Sequence, residues 1–170
     1  LTVNLASQTH PVITELVLLS GHPDGLRWRT QRAVLPVGSA PDEHARVLVG
    51  WDGAAPAGSL IHSTSWRYDP LSESLILTWA VAPDPDPASA TRLVDGTVAQ
   101  GSAATEPVPV GLTMESVVAH AARHLAFLSH TDEVVAAAVH HHPHLHDALL
   151  GHNSDVAGRH TITATSVKGA

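Results

Sequence analysis

The chain has 170 residues, of which 44 % are hydrophobic and 15 % charged, with a formal net charge of −7, fourteen histidines and no cysteine. That length and apolar content fit one folded domain over residues 1–170 and exclude the highly charged, apolar-poor class that stays disordered. The acidic balance with a single lysine, Lys168, argues against nucleic acid as a partner, the lack of cysteine excludes disulfides and thiolate chemistry, and no apolar run approaches the ~20 residues that span a bilayer. The expectation is a cytoplasmic protein with neither a nucleic acid nor a membrane partner.

Residues 12–19 form a β-branched apolar run that ends in the turn-forming cluster Ser20-Gly21-His22-Pro23-Asp24-Gly25. A strand is the reading, with a helix from Pro11 as its competitor. Leu26, Trp28 and Thr30 then alternate with Arg27, Arg29 and Gln31, the period of a half-buried strand, so the two segments predict a hairpin. Ser39-Ala40-Pro41-Asp42 opens a short helix to about Val49, and residues 50–58 are a loop. A second hairpin follows, with Leu60, His62, Thr64 and Trp66 alternating along its first strand and Leu75, Leu77, Trp79 and Val81 along its second.

Residues 83–111 are rich in Pro, Ala, Ser, Thr and Asp and predict a long loop or lid, or an overlooked strand near residues 91–98. Thr113 caps a helix through residue 129, on which Val117, Val118, Ala121, Leu125 and Leu128 recur at helical spacing. A second helix restarts at Thr131-Asp132-Glu133, a third at His142-Pro143, and residues 151–170 read as a C-terminal tail with a candidate strand at residues 160–165. The fold class expected is α+β: an antiparallel sheet built from two hairpins in ββαββ order, packed on one face by helices.

Three constellations carry candidate chemistry. The run His140-His141-His142-Pro143-His144-Leu145-His146 supplies imidazoles suited to zinc, nickel or copper, although Pro143 interrupts the helical spacing. The commonplace alternative is a solvated, histidine-biased surface. His120 and His124 stand one helical turn apart, but Ala121 occupies the place where a zinc protease helix carries glutamate, so they read as histidines at the edge of the core. Alternation along residues 60–68 puts His62, Thr64 and Trp66 on one face with Trp79 beside them, a base, a hydroxyl and two rings for a small-molecule pocket.

No phosphate loop, dinucleotide fingerprint, calcium loop or Gly-x-Ser-x-Gly elbow occurs. The leading expectation is an accessory protein binding a divalent metal through His140, His141, His142, His144 and His146. The first alternative is a small-molecule enzyme or binder, with His62 as candidate catalytic base, Thr64, Trp66 and Trp79 as candidate ligand contacts, and the pocket closed by the helix of His120 and His124. The second is a non-catalytic interaction module that forms a homo-oligomer.

Overall fold

The computed structural model describes residues 10–101, 103, 105 and 109–152. Ten of the eleven residues of β1 (Val12–His22) pair antiparallel with β2 (Gly25–Val34), around the two-residue turn Pro23-Asp24. Gly25 enters β2 at φ 120°, a conformation from which a side chain is barred by its Cβ. Residues 12–19 are therefore strand, and the competing helix from Pro11 is ruled out. Helix α1 (Pro41–Leu48) starts behind Ala40 with Pro41 in its first turn, then β3 (Leu60–Asp69) and β4 (Ser74–Ala82) form the second hairpin.

The two hairpins join through their apolar members. β1 and β4 lie parallel at the centre of a five-stranded sheet of order β3-β4-β1-β2-β5. The sheet is therefore mixed, which corrects the expected antiparallel one. The physical cause is already in the strands: β1 is buried without interruption from Thr14 to Ser20, so it needs cover on both faces and neighbours on both edges. The ββαββ order is not matched exactly, because the two-residue strand β5 (Thr91–Arg92) inside the expected loop adds to the edge of β2.

Helices also cover both faces of the sheet, not one. On the first face, Val17, Leu19, Ala80 and Ala82 pack under α2 (Met114–Thr131), α3 (Glu133–His140) and α4 (Pro143–Leu150), through Val118, Leu125, Val139, Leu145 and Leu149. On the second, Leu16, Leu18, Trp79 and Val81 pack under Ala45, Val49 and Trp51 of α1 and the turn after it. Trp79 donates its indole N–H to Asp42 at 3.1 Å, which ties α1 to β4. The second face is claimed by α1 because the odd residues of β4, Leu77, Trp79 and Val81, form an apolar row there.

The expected caps are in place. Thr113 accepts from the amide of Ser116 at 3.2 Å, and Asp132 accepts from Val134 and Val135 at 2.8 and 3.1 Å. Backbone contact is closest where α4 crosses β1: a Cβ on Gly21 would lie 2.0 Å from the amide nitrogen of Leu145, so only glycine fits. The candidate strand at residues 160–165 lies outside the described residues, as does the tail from residue 153 onward.

Candidate functional site

A carboxylate in the middle of a fully buried strand is costly unless cations surround it. Glu15 is such a group, 0 % exposed on β1, and the strand register supplies its partners. Thr78 of β4 and Arg32 of β2 are its lateral neighbours, and Arg67 reaches over from β3, so one polar row crosses four strands on the face under α2. Arg67 donates to both carboxylate oxygens, at 2.8 and 2.7 Å, while Thr78 donates at 2.9 Å. Arg32 closes the row with its Nε on Oε2 of Glu15. Burial alone would raise the Glu15 carboxyl, but the hydrogen bond and charge of Arg67, then the charge of Arg32, outweigh it and hold it below its ordinary 4.5.

The two arginines of the row border a cleft of about 440 Å³, within the size range of small-molecule sites. Arg32 and Arg67 line it beside Tyr68 and Ile76, and Leu112, Met114 and Val117 form the opposing apolar wall at the start of α2. Two guanidinium groups share one buried carboxylate here. Arg32 remains 44 % exposed along its side chain, and its Nη2 meets the sulfur of Met114 at 3.1 Å, a weak acceptor. Asp69 stands at the rim, its carboxyl lowered by the hydroxyl of Ser72 and the amide of Leu71.

The sequence reading placed the pocket further along the same strand, and a β-bulge moves its members apart. His62 pairs with Ala80 and Ser63 with Trp79, but the register then shifts so that Ser65 pairs with Thr78 and Trp66 with Leu77. Thr64 is the extra residue, its hydroxyl donating to the carbonyl of Thr78 at 3.2 Å. Inserting one residue reverses the facing of everything beyond it. His62 therefore lies under α2, whereas Trp66 and Trp79 lie on the α1 face, Trp66 70 % exposed and Trp79 buried. The four residues do not form one wall.

His62 lies against the helix of His120 and His124: the rings of His62 and His124 stack with centroids 5.1 Å apart, and that of His120 is nearly coplanar in orientation 6.5 Å beyond. Burial lowers both helix histidines from 6.5; at His120 a hydrogen bond donated to the backbone of Thr64 opposes this and the charge of Arg123 adds to it, and His62 and His120 add to it at His124. Both are held neutral near pH 7.

The histidine run is divided by the α3–α4 turn. His140 and His146 bring their rings together, 4.6 Å between centroids. His142 bonds the carbonyl of Gly58 at 3.1 Å through Nε2, and His141 lies against Gly58, where a Cβ would be 2.5 Å from its own. His141, His142 and His144 line a separate pocket of about 280 Å³ with Gly21 and His22. The five do not converge on one point, and among the described residues no group of three or more His, Cys, Asp or Glu is arranged to hold a metal ion.

Sequence reasoning overlooked Glu15, Arg32 and Arg67. The available signal was one acid inside an apolar run in a chain poor in charge, which demands a buried cation. Comparison with known protein families, curated proteins and solved structures finds no match.

Proposed function

We propose that the protein binds a small organic acid in the cleft above Glu15, its carboxylate on Arg32 and its apolar body against Leu112, Met114 and Val117. The observation that carries this reading is the pair of guanidinium groups that share one buried carboxylate and line the cleft. Arg67 is held by two bonds to Glu15 and one to Thr78, which makes it the anchor. Arg32 is the more exposed partner: a ligand carboxylate would replace the thioether of Met114 with a charged acceptor, an exchange that favours binding. Asp69 at the rim offers an acceptor to a hydroxyl or amine on the same ligand.

The start of α2 adds to the attraction. Its dipole places partial positive charge beside Met114, close to where the acid would sit. The site lies away from the notional His62 pocket but keeps the same class of function, a small-molecule binder, in place of a five-histidine metal protein.

Calorimetric titration with 4-phenylbutyrate and with its neutral amide tests the reading. Saturable binding of the acid, at least tenfold weaker for the amide and for Arg32→Gln, is the expected result. Equal binding of acid and amide, or an Arg32→Gln variant that binds as the parent does, overturns it.

A further inference from the structure

The two histidines that the α3–α4 turn brings together have an orientation of their own. His140 closes α3 and its Nδ1 lies 2.7 Å from the carbonyl of Ala136, which keeps the proton on Nδ1 and leaves Nε2 with a free lone pair. Metal-ligating histidines are commonly oriented by this kind of carbonyl contact. His146, at the end of the first turn of α4, has its Nδ1 3.5 Å from a carboxylate oxygen of Asp147.

Their separation is compatible with a shared ion. An imidazole nitrogen about 2.0 Å from an ion puts its ring centre about 3.2 Å away, so two rings sharing that ion lie about 4.5 Å apart at a right angle and about 5.2 Å apart at the tetrahedral angle. The observed centroid distance is 4.6 Å, with 31° between the ring planes. That distance lies within this span, and Cu(II) leads the affinity order of divalent ions for nitrogen sites.

We propose that Nε2 of His140 and Nε2 of His146 form a Cu(II) site that clips the end of α3 to α4, with water in the remaining positions. Water completes it because no third His, Cys, Asp or Glu is arranged there among the described residues. The neighbouring histidines are outside it: His142 is committed to Gly58, and His141 and His144 face the pocket beside β1. This inference is independent of the organic-acid cleft, which lies at the other end of α2.

Titration of Cu(II) into tag-free protein, followed by electron paramagnetic resonance and thermal unfolding, tests it. The expected result is one equivalent bound with splitting from two nitrogens, a raised Tm, at least tenfold weaker binding in His140→Gln and in His146→Gln, and less than twofold change in His141→Gln and His144→Gln. All four side chains are at the surface or half-buried, and circular dichroism of each variant checks that it remains folded. The proposal is overturned by equal losses across the four variants, by His140→Gln binding as the parent does, or by a copper-bound protein whose Tm does not rise.

Discussion

The row at Glu15 and the stack at His62 lie under the same helix, a few turns apart, and treat burial in opposite ways. At Glu15 the burial of a charge is answered by opposite charges, Arg67 and Arg32, and the group stays ionised. At His124 it is joined by like groups, His62 and His120, which further disfavour charge on its ring, and the ring stacks on His62. Both pKa values are lowered, yet one shift preserves a charge and the other removes one. The first region can present charge to a ligand at any ordinary pH, whereas the second is a seam that loosens in acid.

The sharpest way to break this contrast is to remove the carboxylate. Glu15→Ala leaves Arg67, only 14 % exposed along its side chain, without its partner, and should destabilise the protein by about 3–5 kcal/mol in urea unfolding. A loss below about 1 kcal/mol would mean that water replaces the carboxylate freely and that the row is not a buried network.

Acid titration is the intermediate case and separates the regions by pH. The histidines have folded pKa values below 6.5, so the unfolded chain binds protons first, and their contribution, complete above 6.5, is lost as pH falls through the folded values. Glu15 is lowered from 4.5, so its contribution persists until more acidic conditions. Thermal unfolding from pH 7.5 to 5 should therefore show a decline in Tm that is reduced in the double variant His120→Gln/His124→Gln and retained in Arg32→Gln. An identical decline in the double variant would remove the seam from the account.

The smallest expected effect concerns the helix both regions share. Thr113→Ala deletes the cap of α2 beside the cleft and should cost about 1 kcal/mol, read as a shift in the urea midpoint with an unchanged slope. A change in slope would point to a rearranged loop before α2 rather than a lost cap.

Much of the frame was legible locally. The capping residues Thr113 and Asp132, Pro143 at the start of α4, and the turn at Pro23-Asp24 all act within a few residues of themselves, and each is where its chemistry predicts. The parallel pairing of β1 with β4 was visible only as two runs too continuously apolar for half-buried hairpins. Register was harder: Thr64 reads as an ordinary alternating residue, and nothing in residues 60–69 marks it as the bulge that sends Trp66 to the other face. The Glu15 row was hardest, since its arginines come from 17 and 52 residues away and Arg67 reads as the solvent side of its strand.

The proposed organic acid would sit at the arginine end of α2 and not at the histidine seam. Met114 is the chain's single methionine and lines the cleft, so its methyl group gives one isolated carbon–proton resonance at the decisive place. Titration with 4-phenylbutyrate at pH 7.5 should move that resonance saturably, with the ring signals of His62 and His124 unchanged. A still Met114 methyl, with shifts centred on those two rings, would contradict the account.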